Sequence, residues 1–344
     1  MKFLRISIIV LAIIVTGGII YITKHPSTPI TLLQKTIYNS MPEINANSFE
    51  PWNNPGSTVK ENGILYLNDI KYANEYPNSY LDISYPSEDI SIKRPTAIYI
   101  HGGGFFSGSK LFGDPLSANK NGPNFFDDIV LQGYNLVNID YALTPEYTYP
   151  TPLIQLNQAI GYISDHSEKY NLDMNNVVII GSSAGGSITA QYGLIVTKED
   201  YAKELGIKPL ISQNQIKALV VDDAILKTKY LDLLTSTMIK TYFGKDTLDN
   251  KQSRQFDVIS HVDENYIPTF LDSGNTCSYK KDMKDMYNTL KKYNIDTEYY
   301  YIDKSYVKLR HCFMINKYAN EYAKDCFNHM ISFINKYTLN DSFK

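Results

Sequence analysis

The sequence predicts an α/β fold with a mostly parallel central sheet and helices on both faces. Short runs rich in Val, Ile and Tyr alternate with longer segments of helical spacing. Several runs are apolar throughout, as strands buried on both faces are. Two of them lead straight into glycine-rich turns.

In chain order, GILYLNDIKY and SYLDISYP alternate and end at Pro86, which predicts an antiparallel opening. TAIYIH, after Pro95, is the first buried strand, and NLVNIDYAL the second. NQAIGYISDHSEKYN has the spacing of a helix. VVIIG, IKALVVDDAI and PTFLDSG are three further strands, and a helix then runs to about Asn294. TEYYYID is the last strand, and about 316–336 closes the chain as an amphipathic helix. The stretches 192–215 and 227–261 exceed simple crossovers and are candidate cap insertions over a site.

The N-terminus reads separately. Lys2 and Arg5 precede an uncharged run over 6–23. Eighteen helical residues reach about 27 Å, close to the roughly 30 Å of bilayer hydrocarbon. The leading positive charge favours a cytoplasmic tip, 1–5, with the rest outside. The exit IIYITKHPSTP lacks a small-residue cleavage site, so an uncleaved single-pass signal anchor is favoured over a cleaved, secreted form. Residues 24–60 hold scattered prolines and read as a stalk and surface segment with room for one short helix. The main domain is then 61–344.

Composition excludes some classes. The 344-residue chain has a formal charge of −3, so no basic field exists to hold nucleic acid. Hydrophobic residues make up 43%, enough for a sizeable core. The three cysteines, Cys277, Cys312 and Cys326, show no zinc-finger spacing with histidine. No metal or organic cofactor is expected.

Two motifs carry chemistry. Gly181-Ser182-Ser183-Ala184-Gly185-Gly186 follows the strand VVII, a G-x-S-x-G pattern between strand and helix. A nucleophile on such a sharp turn needs small neighbours, and the amides opening the helix face the reacting oxygen. Ser183 is the candidate nucleophile. His101-Gly102-Gly103-Gly104-Phe105 also ends a strand. Its backbone can approach a substrate oxygen closely. The amides of Gly103 and Gly104, with that of Ala184, would form an oxyanion hole. His101 is assigned to orienting this loop. The base is expected late in the chain, and His311 in LRHCF, after the last strand, is the candidate.

YIHGGGFFSGS, NIDYALTPEYTYP, VVIIGSSAGGSITAQ and HCF together resemble the hormone-sensitive-lipase-like and related bacterial carboxylesterases of the α/β-hydrolase superfamily, over about 65–336. The resemblance implies an α/β-hydrolase fold, Ser183 as nucleophile, His311 as base, and Gly103, Gly104 and Ala184 as oxyanion donors. It gives Asp140, Tyr141, Pro145 and Glu146 a supporting role. Ser182 replaces the Asp common before the nucleophile. The acid departs from the pattern as well, because the position three residues after Gly274 is Cys277. Asp272 at a strand end is the favoured acid, with Asp282 and Asp223 as alternatives, or a dyad helped by Asn275 or Ser278. In this fold the loops of Cys277 and Cys312 meet beside the base. A disulfide between them and a pair of thiols are both open.

The sequence therefore predicts a membrane-anchored, extracytoplasmic serine hydrolase acting on small-molecule carboxylic esters. An exopeptidase or amidase on the same scaffold is one alternative. A catalytically weak envelope protein that kept the fold is another. Phe105, Phe106 and Tyr147 are candidate acyl-pocket residues.

Overall fold

The computed structural model describes residues 18, 21–22, 24–39, 46–49, 51, 56–117, 122–277 and 279–339. The expected membrane span, 6–23, lies almost wholly outside them, as does Ser278. Among the described residues no helix is long and apolar enough to cross a membrane.

After helix α1 (Ser27–Asn39) come strands β1 (Gly56–Val59), β2 (Leu65–Lys71), β3 (Tyr80–Tyr85) and β4 (Pro95–Ile100). Helix α2 (Gly122–Val130) leads to β5 (Asn135–Ile139), and α3 (Thr151–Asp165) and α4 (Ser167–Tyr170) to β6 (Asp173–Ser182). Next come α5 (Ala184–Thr197), α6 (Glu199–Leu205) and β7 (Ile216–Asp222). Then follow α7 (Leu233–Phe243), α8 (Lys251–Phe256), α9 (Val258–His261), β8 (Thr269–Asp272), α10 (Lys280–Lys292), β9 (Thr297–Tyr300) and α11 (Glu321–Thr338).

Among the described residues the strands form one sheet in the order β1-β2-β3-β5-β4-β6-β7-β8-β9. The β1–β2, β2–β3 and β3–β5 pairs are antiparallel, and every other pair is parallel. This is the α/β-hydrolase fold. Strand side chains alternate between two cores. Ile98, Ile100, Ile179 and Val221 face the layer that holds α3, α5 and α10. Ala97, Tyr99, Val178 and Val220 face the layer of α2 and α11. A strand buried on both sides can be apolar at every position, which is why VVII and ALVV form the centre of the sheet.

Three readings change. Residues 24–39 are no free stalk: α1 packs against α7 and buries Ile30, Gln34 and Tyr38. The Gln34 side-chain amide donates to the carbonyls of Phe106 (2.7 Å) and Thr144 (2.9 Å). This helix thus clamps the outside of the loop that follows His101. The short strand β1 and the helix α2 were not anticipated; β1 is exposed along its whole length, so it carries no burial pattern to find. The stretch 192–215 is no single insertion: it holds the rest of α5 and helix α6, whose Tyr201 hydroxyl donates to the Gln255 carbonyl of α8 at 2.7 Å. The stretch 227–261 holds α7, whose Met238 sulfur lies against Gly104.

A buried ion cluster ties the antiparallel opening to the glycine loop. Lys110 is 1% exposed, and its Nζ lies 2.6 Å from Asp69 Oδ1 and 2.8 Å from Asp82 Oδ1. Its backbone amide donates to Asp140 Oδ1 at 2.6 Å. Removing one partner of a buried pair strands the other charge. Lys110→Met is therefore expected to lower the unfolding free energy by about 3–5 kcal/mol, measured as a fall in urea midpoint.

Candidate active site

Ser183 stands at the tip of the turn between β6 and α5, with φ 55° and ψ −119°. This is strained backbone for a residue with a side chain, and it lifts Oγ off the end of the sheet. The turn closes because its neighbours are glycine. A Cβ at Gly181 would overlap the Gly185 carbonyl, and one at Gly185 would overlap the carbonyls of Ile100 and His101. The Ser183 amide donates to the Asp222 carbonyl (2.7 Å), fixing the turn to the neighbouring strand.

His311 lies in the loop between β9 and α11. Its Nε2 is 2.8 Å from Ser183 Oγ. Its Nδ1 is 2.9 Å from Asp223 Oδ2. The structure thus brings Ser183, His311 and Asp223 into one chain of hydrogen bonds. Asp223 is the first residue beyond β7, with φ 47°. Its Oδ2 also accepts the amides of Gly274 and Cys312, both at 3.0 Å, and its Oδ1 accepts the Cys277 thiol at 3.1 Å.

The favoured acid, Asp272, is displaced by this arrangement. It is the last residue of β8, in register with Asp222 of β7, and both carboxyls are sealed from solvent. Burial pushes the Asp272 pKa far up, and the neighbouring charges of Asp222 and Asp223 add to this. Burial also raises Asp222, with Asp223 adding to it. Two such carboxyls can hydrogen-bond only by sharing a proton. Asp282 does not reach the imidazole either. It sits in the first turn of α10, where its carboxylate accepts the Leu226 amide at 3.0 Å.

Burial pushes the His311 pKa down, but the combined neighbours hold it well above the ordinary 6.5. Among them, Cys312 is a thiol that burial drives far above its own range, so at neutral pH it carries no charge. The Asp223 carboxylate is then the charge that raises the imidazole.

The glycine loop folds around His101, which is 1% exposed and stacked on Tyr141 at 4.1 Å. Its Nδ1 lies 2.7 Å from the Gly102 carbonyl, and burial pushes its pKa down to about 4. A neutral, sealed ring suits the orienting role and excludes it as the base. Tyr141 completes the link by donating to the His101 carbonyl at 2.9 Å. Phe105 is wholly buried and stacked on Tyr242 of α7 at 3.8 Å, so it ties the loop to that helix rather than lining an acyl pocket. Two neighbours lacked any sequence signal. Asp114 is 5% exposed, and its carboxylate takes the Gly103 amide and lies near His311. Tyr279 sets its ring edge-on to His311 at 5.1 Å. Cys277, Cys312 and Cys326 are thiols, so the disulfide alternative falls.

Comparison with known proteins adds three findings. A family model described as BD-FAE matches residues 81–299, which takes in Ser183 and Asp223 but stops before His311. Esterase LipC of Mycobacterium tuberculosis is 27% identical over 145 residues, 42% of this chain and 33% of that protein. Carboxylesterase NlhH of the same species is 24% identical over 182 residues, 53% of this chain and 51% of that protein. The matches span a third to a half of these curated relatives. Among solved structures, a phosphonate-inhibited esterase B from Lactobacillus Rhamnosis aligns with a TM-score of 0.69 and 16% identity, over 94% of this chain and 96% of that one.

The Asp222–Asp272 pair sets a pH dependence of stability. A carboxyl whose folded pKa is raised stabilises the fold below its unfolded pKa and loses that contribution as pH rises through the folded one. Asp272→Asn removes the shared proton. The Tm of this variant relative to the parent is expected to be higher at about pH 8 than at about pH 4, read by thermal melts at both.

Proposed function

Since the chain belongs to the BD-FAE family of α/β-hydrolase type, we propose that it hydrolyses small-molecule carboxylic esters through a covalent acyl-enzyme. The observation that carries this reading is the unbroken chain from Ser183 Oγ through His311 to Asp223 Oδ2, at 2.8 and 2.9 Å, on a strained elbow.

Each step follows from that geometry. His311 Nε2 takes the Ser183 proton as Oγ attacks the ester carbonyl. Asp223 holds the Nδ1 proton, so the other nitrogen presents a lone pair, and it stabilises the imidazolium that forms. The negative charge moves to the carbonyl oxygen. Ala184 and Gly104 are the amides assigned to receive it; Gly103, expected as a third donor, gives its amide to Asp114 instead and anchors the loop that presents them. His311 returns its proton to the leaving alcohol. Water repeats the sequence on the acyl-enzyme and frees the acid. No step calls on a metal or organic cofactor. The weak-envelope alternative rested on a missing acid, and Asp223 on His311 Nδ1 takes that support away.

The remaining proposals concern placement. Helices α1 and α7 act as the cap that shapes the acyl pocket, since Gln34 and Met238 reach the glycine loop from above. Residues 6–23 act as a single-pass anchor that leaves the catalytic domain outside the cytoplasmic membrane, from Lys2, Arg5 and the uncharged run after them. Retention of the full chain in the membrane pellet after an alkaline carbonate wash supports the anchor; its release to the supernatant overturns it.

A fluorophosphonate probe is expected to label the parent chain and to leave Ser183→Ala unlabelled. Asp223→Asn is expected to cut kcat on short acyl esters by about 10⁴-fold, the scale of losing a triad acid. Asp272→Asn is expected to change kcat/KM by less than about tenfold, or 1.4 kcal/mol. Only the neutral imidazole can accept the proton. With the His311 pKa raised above 6.5, the acid limb of kcat/KM lies at higher pH than for an ordinary histidine, and Asp223→Asn shifts it downward. A parent enzyme that labels with no probe and turns over no ester would sink the proposal.

A further inference from the structure

Cys277 takes no part in the proposed ester chemistry, yet its thiol points into the acid side of the triad. Sγ lies 3.1 Å from Asp223 Oδ1, while Oδ2 of the same carboxylate meets His311 Nδ1 at 2.9 Å. One sulfur, one nitrogen and one oxygen, from Cys277, His311 and Asp223, lie within 4.8 Å of one another. The site is reachable: Cys277 is half-buried and the His311 side chain is 22% exposed.

We propose that Cys277, His311 and Asp223 form an inhibitory binding site for a thiophilic divalent cation, zinc above all. The inference rests on the triad assigned above. Zinc favours this donor set and tetrahedral geometry, with Zn–S near 2.3 Å and Zn–N and Zn–O near 2.0–2.1 Å. Donors around such an ion lie roughly 3.3–3.6 Å apart, so no pair here need close by more than about 1.5 Å. Three protein donors leave a fourth position for water, as in zinc sites that are open on one side. The second group of the same kind, Asp114, His311 and Cys312, lies on the Ser183 side of the ring, where Nε2 is already engaged and Cys312 is sealed. The entry path therefore favours Cys277.

Binding there stops catalysis for a reason of tautomers. A metal on Nδ1 needs the lone pair of that nitrogen, so the ring proton moves to Nε2. An Nε2 that carries a proton donates to Ser183 Oγ and cannot accept from it. The general base is lost with Ser183, His311 and Asp223 all still present at the site. The Cys277 thiol, which burial pushes above its ordinary range, gives up its proton to solvent as the metal–sulfur bond forms. One proton is released per cation bound to the neutral imidazole and two when the ring starts as the imidazolium, and no electron moves.

The test uses the full metal-free chain in three forms: parent, Cys277→Ser and Cys312→Ser. Zn²⁺ is titrated against hydrolysis of a short acyl ester. Cd²⁺ is titrated separately, without ester, and followed by the thiolate-to-metal charge-transfer band in the ultraviolet. Saturable inhibition of the parent, reversed by chelator, is expected, with a cadmium band that saturates at one equivalent. Cys277→Ser is expected to lose the band and to need at least about tenfold more Zn²⁺ for half-inhibition, read against its own metal-free rate. Cys312→Ser is expected to keep both responses. Equal zinc sensitivity in Cys277→Ser, loss of the band in Cys312→Ser, or no band in the parent each overturns the proposal. Should Cys277→Ser fail to fold, protection of Cys277 from alkylation by Zn²⁺ in the parent decides the same point. The cadmium band needs no turnover, so a chain that shows the band but hydrolyses no ester refutes the hydrolase reading and leaves the metal site standing.

Discussion

The Asp223 carboxylate is the constraint on which the rest of the site depends. It gathers four donors from two loops: the His311 imidazole, the amides of Gly274 and Cys312, and the Cys277 thiol. These come from the loop after β8 and the loop after β9, while Asp223 itself directly follows β7. One buried anion therefore fixes three chain segments relative to one another. A hydrogen bond to a charged group is worth roughly twice a neutral one, and an unmet buried charge costs far more, so none of the four contacts is incidental. The orientation of His311 toward Ser183 follows from this junction. The elbow supplies the nucleophile, but the acid loop decides where the imidazole points.

Most of the scaffold was legible because burial on two faces leaves a coarse signal. Apolar runs such as VVII and ALVV could only be inner strands, and their glycine-rich exits could only be tight turns. The acid was not legible, because it depends on which way two adjacent aspartates face. Asp222 and Asp223 stand side by side in the sequence. Asp222 still belongs to β7 and turns its carboxyl toward Asp272 on the next strand. Asp223 lies one residue past the strand end, and its positive φ swings the side chain over the site. No periodicity encodes that reversal. Asp272 looked plausible because it ends the strand before the late histidine loop. Strand register, which the sequence does not display, pairs it with another carboxyl instead.

The N-terminal helix shows a second limit. Its buried residues are Ile30, Gln34 and Tyr38, spaced four apart along one narrow stripe. A glutamine in the middle and a tyrosine at the end dilute the apolar pattern that marks a helix as amphipathic. Yet the glutamine is what makes the stripe specific. The Phe106 and Thr144 carbonyls lie in irregular backbone beside the glycine loop and accept the Gln34 amide there. An apolar residue at that position would fill space and leave two buried carbonyls short of a donor. A polar residue inside a packed stripe is thus a sign of irregular backbone beneath it. Here that backbone belongs to the loop that presents the oxyanion donors.

The placement of charge at the end of the sheet follows the same economy. Asp222, Asp223 and Asp272 lie close together in a sealed region, and three anions cannot coexist there without donors. The donors are distributed very unevenly. Asp223 has four, whereas the carboxyl of Asp272 meets that of Asp222. Burial therefore keeps a proton shared on the Asp222–Asp272 pair, which then carries less charge than two free carboxylates, while Asp223 is the carboxylate in contact with the imidazole. A second anion behind Asp223 would raise the His311 pKa further and hold more of the base in its protonated, inactive form at neutral pH. Holding one proton on the pair limits that effect, so two acids that never touch substrate still help set the pH range in which Ser183 can be activated.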